Sequence, residues 1–154
     1  MAASAFLNGS SLGFGGTTHT SLTAKLITRG GKQVDTAELN AEATADGSVL
    51  ATTTLFGSVE AGDDGSGVLV VTYTSGIGAG EDAHSESFTR SFAISTPGPD
   101  IGFGMTRSIA WGEESHDAVA SVEVYGDITN SHSMEGDNGQ FSWAFSVGVT
   151  IDFA

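Results

Sequence analysis

Large apolar and small polar residues alternate through most of this chain. The alternation is longest at the end, where Phe141, Trp143, Phe145, Val147, Val149, Ile151 and Phe153 are separated by Ser142, Ala144, Ser146, Gly148, Thr150 and Asp152. Successive side chains of a strand point to opposite faces, so a period of two puts every large side chain on one face. Residues 141–153, at roughly 3.3 Å each, predict a long C-terminal strand of about 43 Å.

The same period runs through Ile101, Phe103, Met105, Ile109 and Trp111, with Arg107 standing in the apolar row, and through Phe88, Arg90, Phe92 and Ile94. An unpaired buried guanidinium costs several kcal/mol, so Arg107 is expected at a sheet rim or against a carboxylate. Val68 to Val71 form an unbroken apolar run, as in a strand covered on both faces. Thr20–Thr28 and Val119–Tyr125 supply further strands. In 35–56, Asp35 and Glu38 could cap a helix. Ala37, Leu39, Ala41 and Ala43 alternate, however, and Asp46-Gly47 is a favoured two-residue turn, so a hairpin is the preferred reading.

About eight antiparallel strands follow, separated by loops at 61–67, 75–86, 112–117 and 126–140. The predicted fold is all-β: a single-domain β-sandwich, jelly-roll or immunoglobulin-like, with a closed barrel as second choice. Its core is expected on the face of Phe141 to Ile151, joined by Phe103, Ile109, Phe88, Phe92, Val70 and Leu69. Burial of each such side chain contributes roughly 1.5–3 kcal/mol.

Residues 1–16 read differently. Phe6, Leu7, Leu12 and Phe14 sit in a Gly/Ser matrix, and Gly loses the most backbone freedom on ordering. They are expected either as a flexible N-terminal arm that reaches a neighbouring subunit or as a first strand tucked against its own sheet. With the arm reading, residues 17–154 form the sandwich domain.

Charge narrows the range of partners. The chain carries 19 acidic and 5 basic residues, a net charge of −14. Lys25, Arg29 and Lys32 precede the first acid, while every carboxylate and only Arg90 and Arg107 follow. Phosphate backbones and anionic lipid both need clustered cations, so neither nucleic acid nor a membrane surface is expected as a partner. Lys25, Arg29 and Lys32 are instead candidates to guard an edge strand or to dock on an acidic neighbour.

Catalytic chemistry finds little to work with. Without Cys there is neither a disulfide nor a thiolate. His19, His84, His116 and His132 are scattered through predicted loops without the spacing of a metal site. Gly9-Ser10-Ser11-Leu12-Gly13 has the Gly-x-Ser-x-Gly spacing but lies in the Gly/Ser-rich start, without the strand-then-helix pattern that a nucleophile elbow needs. No phosphate-cradling motif occurs, and the adjacent carboxylates Asp63-Asp64 and Glu113-Glu114 would point apart in an extended chain. The chain is therefore not expected to be an enzyme. No cofactor is expected. Calcium, held by Asp63, Asp64 and Asp137 in acidic loops, is the alternative, although the spacing is not that of a twelve-residue calcium loop and Gly-Asp and Asn-Gly are also ordinary turn formers.

In overall texture, acidic, Cys-free, β-rich and Gly/Ser/Thr-heavy with a loose start, the chain resembles small structural subunits of phage particles, meaning head-decoration or tail proteins. The resemblance implies a homo-oligomer located in a virion, contacting copies of itself and other proteins of the same particle. The alternatives are a secreted filament or matrix subunit and a calcium- or glycan-binding module. The first residues have neither a basic n-region nor an apolar h-region.

Overall fold

The computed structural model describes residues 2–62, 67–114, 118–137 and 139–153. Among them ten strands form: β1 (Ala2–Phe14), β2 (His19–Arg29), β3 (Asp35–Gly47), β4 (Leu50–Gly62), β5 (Val68–Ala79), β6 (Ala83–Ser95), β7 (Asp100–Trp111), β8 (Val119–Tyr125), β9 (Ile128–Asp137) and β10 (Phe141–Asp152). They build two antiparallel sheets, one ordered β1-β4-β5-β8 and the other β2-β3-β6-β7-β10-β9. The architecture is the expected all-β sandwich, and it is not a closed barrel.

Two elements differ from the sequence expectation. Residues 2–14 are β1, paired with β4 from Ala2↔Gly62 to Phe14↔Leu50. This is the first-strand reading and not the arm: the ladder to β4 supplies hydrogen bonds that a Gly-rich segment cannot make alone. Most of 126–140 is β9, held against β10 from Ile151↔Ile128 to Ser142↔Asp137.

The connection at Asp46-Gly47 is also not a hairpin. β3 pairs with β2 and β6, whereas β4 pairs with β1 and β5 in the other sheet. The chain thus crosses the sandwich through Ser48 and Val49, whose amides donate to the carbonyls of Gly15 and Phe14. The expected loop at 75–86 shrinks to residues 80–82, because β5 continues to Ala79 and β6 starts at Ala83. Gly80 and Asp82 take left-handed φ angles of 89° and 56° there, a conformation that Gly accepts freely and Asp tolerates.

The core is the main correction. Phe141 to Ile151 do share one face, but that face points outward. Ser142, Ala144, Ser146, Gly148 and Thr150 point inward and are buried. The same holds in β6 and β7, where Phe88, Phe92, Phe103 and Ile109 lie outside, and in β5, where Val70 is inside and Leu69 outside.

The interior is built from small residues, with a few larger ones set opposite glycines. Leu39, Leu55, Val59, Val68, Val70 and Val122 anchor its main cluster among alanines. Leu39 fills the space that a side chain on Gly57 would need, and Val122 sits where a Cβ on Gly104 or Gly148 would come within 2.6 or 2.7 Å of it. Towards the end of the sandwich containing Gly76 and Gly78 only Gly, Ala, Ser and Thr remain. A Cβ on Gly78 would strike the carbonyl oxygens of His84 and Trp111 in the opposite sheet. Backbone meets backbone here, well inside the roughly 10 Å that larger side chains impose between packed sheets.

Candidate assembly faces

The inward hydroxyls explain why the small face is stable inside. Thr53 Oγ1 lies 2.7 Å from Ser85 Oγ and 2.8 Å from Ser87 Oγ, linking β4 to β6 across the sandwich. β8 is an edge strand with amides left over. Ala118 N, just before it, and Val122 N within it donate to Ser142 Oγ at 2.8 Å and Ser146 Oγ at 3.0 Å on β10. Ser131 of β9 donates to the carbonyl of Val122 at 3.1 Å. Hydroxyls of one sheet thereby satisfy an edge of the other, which blunts a surface otherwise ready for strand addition.

Because the small residues are inside, the large ones form two outer faces. On the six-stranded sheet, registers align Trp111 with Phe141, Ile109 with Trp143, Met105 with Val147, Phe103 with Val149 and Ile101 with Ile151. Phe88, Phe92 and Ile94 of β6 extend this surface, and Ile128 and Met134 of β9 border it. On the four-stranded sheet Phe6 and Phe56 meet edge to face with ring centroids 6.3 Å apart, beside the exposed Leu12, Phe14, Tyr73 and Ile77.

The charges divide unequally between these faces. Lys25 and Arg29 of β2, Arg90 of β6 and Arg107 of β7 all occupy outward positions of the six-stranded sheet. So do the carboxylates Glu38, Glu42 and Asp46 of β3 and Glu86 of β6. Among the described residues this face therefore carries four cations and four carboxylates, and its charges cancel on a chain of net charge −14. The outer face of the four-stranded sheet holds Glu60 and Glu123 and, among the described residues, no cation.

Arg107 resolves as expected, against a carboxylate. Its Nη2 donates to Glu86 Oε1 at 3.1 Å, and its guanidinium carbon lies 5.9 Å from the Phe88 ring centroid. Along the same face His84 stacks on Trp111 with ring centroids 3.9 Å apart, and its Nδ1 is 2.6 Å from Asp46 Oδ1. Since a carboxylate only accepts, Nδ1 carries the proton. Beyond Trp111 an open recess of about 410 Å³ is lined by Glu81, Asp82, Gly112, Glu113 and Gln140.

The sequence candidates do not come together as one patch. Phe6, Leu12 and Phe14 lie on the outer face of the four-stranded sheet, while Leu7 turns inward against the main cluster. Lys25 and Arg29 lie on the opposite side of the sandwich, and Lys32 is exposed in the β2–β3 connection. Asp63 and Asp64 fall outside the described residues, as does His116; Asp137 ends β9 and its side chain is likewise not described. Among the described residues no group of three or more potential ligands is placed to hold a metal ion.

The surface residues of β7 and β10 were legible as a row but assigned to the wrong side. A usable signal lay in the partner row: from Ser142 to Thr150 it includes no charge, with Asp152 only at the strand's end, although a strand face turned to water normally carries some along its length. No family model, curated protein or solved structure matches this chain.

Proposed function

We propose that this protein is a non-enzymatic structural subunit that assembles with copies of itself. One observation carries this reading. Large aromatic and aliphatic side chains cover the outer faces of both sheets, while the interior is filled by small residues. A sandwich that works alone places its large residues between the sheets. Extended apolar faces on a folded domain mark interaction surfaces. A virion component, head-decoration or tail, is the setting favoured by the texture of the sequence, with an extracellular filament as the alternative.

Charge sets the conditions of assembly. Net charge of −14 opposes close approach of copies, and a Debye length of about 10 Å at 0.1 M salt leaves neighbours within each other's field. Added salt or Mg²⁺ should therefore favour the assembled form. Sedimentation velocity at micromolar concentration, paired with electron microscopy of the same sample, tests the reading. Discrete multimers that grow with salt support it, and a monomer under every condition overturns it.

A further inference from the structure

The six-stranded sheet offers the larger and electrically quieter of the two outer faces. Six strands about 4.8 Å apart and some twelve residues long span roughly 1,000 Å², against the roughly 800 Å² per partner of a standard stable interface. The part from β6 across β7 and β10 to β9, where the large apolar side chains stand with Glu86, Arg90 and Arg107 among them, occupies about 600 Å² on the same spacing.

We infer that a second copy of this chain covers this face, six-stranded sheet against six-stranded sheet, in an isologous pair. The inference rests on the self-assembly reading and adds the interface to it. Charge selects the occupant. A copy brings the same four cations and four carboxylates, so the contact joins two surfaces of zero net charge on otherwise repelling molecules. Pairing the four-stranded sheets would instead bring Glu60 and Glu123 against their own copies without a facing cation among the described residues.

Packing agrees with charge. Phe103, Phe145, Met105 and Val147 are half-buried within the isolated chain. Two such faces can interdigitate at the ordinary sheet-to-sheet spacing of about 10 Å, forming between two molecules the large-residue layer that the thin interior of each one lacks. Lipid is a poorer occupant. Lys25, Glu42, Glu38 and Arg90 stand at mid-strand level beside the apolar columns, and hydrocarbon would strip water from all of them.

The absence of cysteine makes the test direct. Met105→Cys and Val147→Cys label the middle of the six-stranded face, and Tyr73→Cys labels the middle of the four-stranded one. Each variant is treated with a short bis-maleimide and run on a denaturing gel, beside sedimentation of the untreated full chain with and without neutral phosphatidylcholine vesicles. Expected are a dimer band for Met105→Cys and Val147→Cys and none for Tyr73→Cys. As a second probe, Phe145→Asp should shift the sedimenting species from dimer to monomer while retaining the β-sheet circular dichroism of the parent. If the parent assembles but only Tyr73→Cys cross-links, this interface is wrong and the assembly reading stands. If the parent is monomeric throughout, both fall. A monomer that floats with the vesicles shows lipid to be the occupant and overturns the inference.

Discussion

His84 lies flat on Trp111, with an interplanar angle of 19°, while its Nδ1 donates to Asp46 at 2.6 Å. The contact joins β3, β6 and β7 at the end of the sandwich where the interior is thinnest. There the outer face adds contacts within one sheet to the hydroxyl bonds that the small inner residues make across the sandwich. His84→Ala, which removes both stack and hydrogen bond, should cost about 1–2 kcal/mol in urea unfolding. His84→Phe keeps the stack and should cost less. Equal losses in the two variants would show that the stack contributes nothing.

Inner and outer positions should respond in the reverse of the usual order. A methyl group on Gly78 has no room between two carbonyl oxygens of the facing sheet, so Gly78→Ala should destabilise by about 1–3 kcal/mol or more. Phe145→Ala, measured on the monomer in dilute solution, removes only a half-buried ring. It should cost about 1 kcal/mol, well below the roughly 3–5 kcal/mol of a core phenylalanine. Denaturant midpoints ranking Phe145→Ala as the worse variant would contradict the inverted packing.

β1 supplies a contrast within one strand. Leu7 packs on the inner cluster, whereas Phe14 is 61% exposed. Leu7→Ala should lower stability by about 1–2 kcal/mol and Phe14→Ala by less than about 0.5 kcal/mol. Deleting residues 2–14 bares the edge of β4 and should give aggregation. Recovery of a folded, monomeric truncated protein would restore the arm reading.

Buried hydroxyls should divide into those with partners and those without. Thr53→Val removes the hydroxyl partner of Ser85 and leaves Ser87 only the longer 3.5 Å bond from Thr74 Oγ1, and should cost about 1–3 kcal/mol. Thr106 Oγ1 is buried with no hydrogen-bond partner among the described residues. Thr106→Val should therefore be neutral or stabilising in thermal melts, and a loss matching that of Thr53→Val would refute the distinction.

Asp127 and Asp152 give an acid-side prediction. The hydrogen bond to Asp152, and then the negative charge of that carboxylate, raise the Asp127 pKa above its ordinary value. A carboxyl that binds its proton more tightly when folded favours the folded state at low pH. The penalty for ionising it is absent below the unfolded pKa and fully present above the raised folded one. Asp127→Asn should thus raise the melting temperature at neutral pH, with the gain fading as pH falls through the carboxylate range. A gain independent of pH would point to another cause.

Period-two alternation is enough to establish that this chain is β-structured and which residues stand side by side. A period of two requires Phe145 and Val147 to share one face and Ser146 and Gly148 the other, wherever the strand lies. Alternation alone does not say which face is inside, because it is the same from either side; only the scarcity of charge in the small row hints at it. That choice is made by the opposite sheet: Ser146 finds the amide of Val122 there, and Gly148 leaves room for the Val122 side chain. Large residues would hold the sheets too far apart for either contact. Likewise Asp46-Gly47 announces a turn, but local chemistry is the same for a hairpin and for a crossing between sheets. Only the long-range pairing of β3 with β6 and of β4 with β1 decides. The segments read as arm and loop, β1 and β9, are strands for the same reason: their order comes from the ladders that β4 and β10 offer, and no local pattern encodes a neighbour's free edge.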